Sequence, residues 1–459
     1  QRGGGADMTR GDVFRHIFYF SLPFLAGNVF QQLYNMADTW VVGNYVGDEA
    51  FSAVGTVTPV INMLIGTFMG FSSGAGVVIS QYYGAGNRQR VHDAVQTAVV
   101  MTAVLSVVFT IVGKAMTPLM LRFMRTPEDV LPESMAYLDV YFSYIAGLLF
   151  YNMGAGILRA VGDSLRPLFL LILSSVLNIV LDLLFVIYFK AGVAGVAWAT
   201  ILSQLLSGLV VFALLFRSRE CHSITWGEMR VDRHILRRIL DLGLPSGVQL
   251  ALTSFSNVFV QSYINQFGKY CMGGWTAYHK IDQLIFLPMQ SLGLAATTFV
   301  GQNLGRGLAD RARRGVRTAL LCAVAVTLAA STLVVALAPQ LVAVFNPEPR
   351  VVEFGAMFLH FLTPFYVLCC VSQVYTGALR GAGNSKVPMV MMIFSFVVFR
   401  QCYLFVVSRY VSNTPLSMGM SYPAGWMVSS VLAALYYGHA RLEATRLVER
   451  GEVLSAEEA

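Results

Sequence analysis

The chain has 459 residues, of which 56% are hydrophobic and only 12% charged, with a formal net charge of +7 and a mean hydropathy of +0.62. Water-soluble domains carry about 25% charged residues, so a soluble globular protein is set aside at once. Six cysteines, single or adjacent as Cys369-Cys370, show neither metal-site spacing nor a disulfide framework.

The opening residues, QRGGGAD, are polar and glycine-rich and read as a processed start, with no cleavable signal peptide after them. Apolar runs then recur to the end, near the roughly 20 residues that cross about 30 Å of hydrocarbon. They predict helices over 14–45, 54–82, 93–112, 134–158, 167–189 and 193–216. The polar stretch RSRECHSITWGEMRVDRH, about 217–234, is a cytoplasmic linker. A second six follow over 235–267, 276–300, 315–338, 354–380, 387–410 and 417–438, and 439–459 form a cytoplasmic tail. Several runs exceed one bilayer crossing, which implies tilt or extension beyond it. An outer-membrane barrel needs short alternating strands, and these runs are continuous.

Charge orients the chain. With the N-terminus inside, 23 of the 32 Lys and Arg fall on inside segments, seven fall outside, and Lys280 and Arg400 lie within helices. That bias places both termini in the cytoplasm. The positive balance is thus topology rather than nucleic-acid binding.

The chain is also duplicated. LRAVGDSLRP at 158–167 matches LRGAGNSKVP at 379–388, and QYYGAG at 81–86 matches QNLGRG at 302–307, both at an offset of 221. Pro23 pairs with Pro245, and Asn35 with Asn257, at 222. Each half, 12–216 and 235–438, therefore carries six helices in one order. Six is even, so the halves are parallel repeats about an axis along the membrane normal. The fold class is an all-α polytopic membrane protein of twelve transmembrane helices in two six-helix bundles. Such a pair suits a transporter that rocks between inward-open and outward-open states.

Polar stripes mark the first half. Gln31, Asn35 and Asp38 share a helical face, with Tyr34 one turn back from Asp38. Ser174, Asn178 and Asp182 form a second stripe, and Thr200, Gln204 and Ser207 a third. A carboxylate in low dielectric is costly when charged and unpaired. It takes a proton or binds a cation; two carboxylates, an asparagine carbonyl and a threonine hydroxyl suit a hard ion such as sodium. The second half lacks these acids: Asp38 aligns with Val260, and Asp182 falls opposite roughly Tyr403. It carries instead AYHKIDQLIFLPMQ, where Asp282 is within reach of His279 or Lys280, and a mid-helix Arg400 with no partner named by the sequence.

NMADTWVVG, PSGVQ, IFLPMQSLGLAATTFVGQNLG and the LRAVGDS/LRGAGNS pair together resemble the multidrug and toxic compound extrusion (MATE) family, prokaryotic type, within the multidrug/oligosaccharidyl-lipid/polysaccharide exporter superfamily. The likeness covers about residues 12–438. It implies a multi-pass protein of the prokaryotic inner membrane, working as a monomer without enzymatic activity or cofactor. It implies export of organic cations and amphipathic drugs by antiport against H⁺ or Na⁺. By that resemblance Asp38, Asn178, Asp182 and Thr200 surround the coupling ion, supported by Gln31, Tyr34, Asn35 and Gln204. Some relatives use an acid in the seventh helix; here Gln249 stands near that place and is neutral. Aromatic and methionine surface for flat cations is offered by Tyr34, Met36, Phe150, Tyr151, Met153, Phe259, Met289 and Phe365. Gln249, His279, Lys280, Asp282 and Arg400 are candidates for the cleft or its gate. The alternative is a lipid-linked saccharide flippase of the same superfamily, for which two helix-borne cations leave the cavity under-charged. A channel would favour a symmetric pore ring, which these one-sided acids do not form.

Overall fold

The structure, a computed structural model, describes residues 6–45, 48–123, 128, 131–218 and 220–448; within them the side chains of 36–40, 42–44, 48–60, 63, 123, 228 and 258 lie outside the description. Among the described residues every regular element is a helix. The helices are α1 (Val13–Tyr45), α2 (Asp48–Gly84), α3 (Arg88–Phe123), α4 (Leu131–Ser143), α5 (Ala146–Ala160), α6 (Leu165–Leu183), α7 (Gly192–Arg217) and α8 (Arg233–Asn265). They continue as α9 (Lys269–Gly305), α10 (Ala309–Ala336), α11 (Ala338–Phe345), α12 (Pro349–Leu362), α13 (Tyr366–Gly381), α14 (Lys386–Ile393), α15 (Arg400–Val406), α16 (Pro415–Gly419) and α17 (Ser421–His439).

Eight helical runs among the described residues are long and apolar enough to cross a bilayer, and α4 with α5, bent by 52°, makes a ninth. The proline-bearing α1 and α8, with α17, bring the number of spans to twelve. The run expected at 134–158 is thus broken between Ser143 and Ala146, and the one at 354–380 is interrupted by a 3₁₀ turn at Thr363–Phe365. Pro364 explains the second break, because its ring removes a backbone donor.

The repeated loops have one physical basis. Gly86 and Gly307 adopt φ of +75° and +83°, and Gly162 and Gly383 adopt +87° and +97°. Each ends a helix with a left-handed residue, which only glycine takes without strain.

Two compact units form. Among the described residues the first comprises 6–7 and those of 26–244, and the second 8–25 and 245–448. The division differs from the expected 12–216 and 235–438 at two helical ends. It falls inside α1 after Leu25 and inside α8 before Pro245, close to the two repeat-matched prolines. Within the first unit α5 and α7 cross backbone to backbone: a Cβ on Gly208 would lie 2.8 Å from the Gly147 carbonyl oxygen. Within the second, a Cβ on Gly377 of α13 would lie 2.5 Å from the Gly293 oxygen of α9. Small residues let helices approach where lipid offers no hydrophobic drive.

The start of α8 is fixed in the first unit by Asp232. Its Oδ1 accepts from the His234 and Ile235 amides at 2.8 and 3.1 Å, and Oδ2 pairs with Arg90 at 3.0 Å. Burial pushes this carboxyl up, but the two amides and the Arg90 guanidinium outweigh it, and its pKa lies below the usual aspartate value. A carboxylate held low stabilises the fold above its unfolded pKa and loses that contribution as pH falls through its folded value. Asp232→Ala is expected to cost about 1 kcal/mol at neutral pH, as for a lost N-cap. Asp232→Asn, which keeps the cap, should cost less. Thermal unfolding in detergent checks both, and the gap between native and Ala proteins should narrow as the pH is taken below the ordinary aspartate value.

Candidate functional site

The helix α6 is an inside-out amphipath. Phe169, Leu173, Val176 and Val180 point outward, while Ser174, Asn178 and Asp182 are buried, Asp182 at 0% exposure. On α7, packed along it, Thr200, Gln204 and Ser207 are buried too. The expected second and third stripes thus meet. Asn178 Nδ2 lies 3.5 Å from Thr200 Oγ1, and that hydroxyl donates to the Val196 carbonyl at 3.0 Å. The Ser203 hydroxyl donates to the Thr200 carbonyl at 2.8 Å. Thr200 therefore keeps its oxygen lone pairs toward Asn178. Asp182 sits one residue before α6 ends, against a π-helical turn at Leu184–Tyr188. The set offers carboxylate, amide and hydroxyl oxygens, a donor chemistry that fits a proton or a small hard cation.

The first stripe is only partly described. Gln31 and Asn35 are exposed on α1, Tyr34 is half-buried, and Asn35 Nδ2 donates to Gln32 Oε1 at 3.2 Å. The side chains of Met36 and Asp38 lie outside the described residues.

A π turn also resets the repeat. The second-half partner of α6 begins as α14, passes through a π turn at Phe394–Phe399 and resumes as α15. A π turn holds one residue more than an α turn. The offset of 221 at LRGAGNS thus becomes 222 beyond it. Asp182 stands opposite Leu404 rather than Tyr403, and Asn178 stands opposite Arg400.

In the second unit the acid finds a partner the sequence did not name. The hydroxyl of Tyr366 on α13 donates to Asp282 Oδ1 of α9, and it lies 3.2 Å from the Tyr278 hydroxyl. His279 Nδ1 is 3.8 Å from Asp282 Oδ2, so that expected pair is present as a loose one, while Lys280 is exposed. Trp275 stacks on Tyr278, with centroids 5.0 Å apart, and meets Tyr422 edge-on. Arg400 is buried and held by Ser256 and Asn257.

The remaining cleft candidates divide by exposure. Phe259 and Phe365 are exposed, Phe259 edge-on to Phe255. Tyr151, Met153, Gln249 and Met289 are buried, and Phe150 packs edge-on against Phe212. The only signal for Tyr366 was its place after Pro364, where the span breaks. The signal for Asn257 was its repeat match to Asn35.

One family model, MatE, matches the chain twice, over residues 23–184 and 245–404. The probable multidrug resistance protein YpnP of Bacillus subtilis (strain 168) is 29% identical over 442 residues, covering 96% of this chain and 98% of that one. The probable multidrug resistance protein NorM of Thermotoga maritima is 24% identical, with 96% of each chain covered. A solved chain described as the outward-facing conformation of a multidrug resistance MATE family transporter of the MOP superfamily superposes with a TM-score of 0.91. It is 26% identical and covers 97% of this chain and 99% of its own. A MOP superfamily transporter from Pyrococcus furiosus superposes with the same score, identity and coverage.

Tyr366→Phe keeps the ring against Trp426 and Phe286 but removes the donor to Asp282. It should cost about 1–3 kcal/mol, the range for a buried acceptor left short of a partner. Thermal unfolding of the purified protein reads this directly. An unchanged midpoint would show that the contact contributes nothing.

Proposed function

Given that the chain belongs to the multidrug and toxic compound extrusion family of membrane transporters, we propose that it is an antiporter that exports organic cations or amphipathic drugs in exchange for H⁺ or Na⁺. The coupling site is Asp38, Asn178, Asp182 and Thr200. The observation that carries this reading is the fully buried Asp182 beside the Asn178–Thr200 contact on two packed helices. The names of the relatives, probable multidrug resistance proteins of Bacillus subtilis and Thermotoga maritima, support the substrate class.

Ionised Asp182 in a protein interior favours whatever neutralises it. A proton on its oxygen, or a sodium ion held with the Asn178 carbonyl and Thr200 hydroxyl, removes the charge and lets α6 and α7 pack differently against α1. That repacking favours release of the drug outside. Drug taken up inside biases the protein toward losing the ion, because coupling between two ligands is reciprocal. Alternating access is the motion this coupling drives. The protein works in the prokaryotic inner membrane as a monomer with both termini in the cytoplasm, the lobes 12–216 and 235–438 joined by the 217–234 linker. Aromatic surface for a cation is offered by Tyr34 in the first unit and, separately, by Phe259 in the second; Met36, the third candidate, has its side chain outside the described residues.

Reconstitution in liposomes tests the proposal. A proton gradient and a sodium gradient are imposed separately, and counterflow of an organic cation is measured. Transport should follow at least one of them; transport indifferent to both sinks the antiport reading. Asp38→Asn and Asp182→Asn should each reduce gradient-driven transport at least about tenfold, the size of a coupling energy near 1.4 kcal/mol. Full gradient-driven transport in both variants would remove the assigned site.

A further inference from the structure

Arg400 is a charge in an unusual setting. Its side chain is 1% exposed. Nη2 donates to Ser256 Oγ at 2.8 Å and to Asn257 Oδ1 at 2.7 Å. The guanidinium carbon stands 4.9 Å from the centre of the Tyr422 ring and 5.6 Å from that of Phe396. Ser256 in turn donates to the Phe396 carbonyl and accepts from Gln401 Nε2 at 2.9 Å, so the box is itself braced. Among the described residues no carboxylate lies within ion-pair distance of Arg400. Buried cations in membrane proteins usually pair with acids. Here the stabilising groups are two neutral oxygens and two aromatic faces. That is the recognition set of a small organic cation.

The repeat register says what this box corresponds to. Asn257 matches Asn35 at 222, and beyond the π turn Arg400 matches Asn178 at the same offset. Leu404 stands where the first half has Asp182. The second half has therefore exchanged a carboxylate and an amide for a leucine and a guanidinium.

We propose that Arg400 is a tethered cation, filling in the second unit the position that the first unit leaves to an exchangeable ion. The comparison with an exchangeable ion rests on the coupling site proposed for Asn178 and Asp182; the box around Arg400 stands on its own contacts. A side chain fixed by a covalent bond is present at very high effective concentration and does not respond to the bulk ion. Its charge also repels a second cation at this depth. Arg400 thus confines the ion response to the first unit. Removing the side chain should leave a cation box open at its exposed edge, Asn257, for a free guanidinium compound.

The test is chemical rescue. Purified Arg400→Ala is heated in detergent with methylguanidinium, tetramethylammonium or sodium chloride at equal concentration. Its midpoint should fall by about 5 °C or more. Millimolar methylguanidinium should restore most of that loss. Sodium, and tetramethylammonium with no N–H donors, should restore nothing beyond the shift that each salt gives the native protein, which is measured alongside and subtracted. Restoration by none of the salts, or equally by all, overturns the proposal. Should Arg400→Ala not fold, Arg400→Lys and Arg400→Gln decide. The proposal requires the Lys protein to keep native stability and transport, and the Gln protein, which hydrogen-bonds without charge, to lose both. A Gln protein equal to native, or a Lys protein as impaired as Gln, overturns it. Asp182→Asn in the Arg400→Ala background separates the two sites. Methylguanidinium rescue should survive there whether or not Asp182 proves to couple an ion.

Discussion

Inside hydrocarbon there is no water to complete a polar group, so each one must be completed by the protein. This constraint turns the helices inside out. Along α6 the aromatic and β-branched residues face outward and the polar ones inward. Along α3 the same rule is met more cheaply. Thr102, Ser106 and Thr117 donate to the carbonyls of Ala98, Thr102 and Gly113 at 2.8, 2.7 and 2.7 Å. A hydroxyl can return to its own helix in this way. An asparagine, a carboxylate or a guanidinium has more groups than one helix turn can serve. Such residues must reach a neighbouring helix, which is why Asn178, Asp282 and Arg400 each mark a helix–helix contact.

That distinction explains what the sequence could and could not disclose. Period and hydropathy sufficed for the spans, and left-handed turns demanded glycine at 86, 162, 307 and 383, so the repeat was legible. Spacing also put Asn178 and Thr200 on polar stripes of their helices, and the family resemblance implied that the two stripes share a site. Three things were not legible. A π turn leaves no distinct composition, so the register slipped by one residue after Phe394 and hid the match of Arg400 to Asn178. The breaks between Ser143 and Ala146 and at Thr363–Phe365 interrupt runs that stay apolar throughout. And the partner of Asp282 lies 84 positions away, at Tyr366, a contact set by packing of α9 on α13 rather than by any local pattern.

The close crossings bear on how the units respond to charge. Where α13 meets α9 at Gly377 and Gly293, no side chain separates the backbones. Interfaces of this kind resist continuous deformation, because any slide drives backbone into backbone. A change in charge at a buried site is therefore more readily answered by a switch between discrete packings than by gradual yielding. The coupling site proposed on α6 and α7 would be placed for such a switch. Asp182 borders a π turn, a segment with one residue more than the regular helix needs. Such turns are frequent at functional sites.

Duplication then poses a problem that the two halves solve differently. Two equal ion sites would load independently, and a transporter with one occupied would sit between states. An ion shifts a conformational equilibrium only through its differential affinity for the two states. A covalently held guanidinium has no concentration to vary, so it contributes a constant. Arg400, bonded to Ser256 and Asn257 in the second unit, is on the proposal the fixed charge of that unit at this position. On the proposed coupling, the first unit, where Asn178 and Asp182 stand in the matching register, is the half whose occupancy would follow a gradient. The fold needs the helices and glycines of both copies, whereas the proposed exchangeable charge belongs to only one. On that proposal Leu404 opposite Asp182 and Arg400 opposite Asn178 are two parts of one difference in role between the halves.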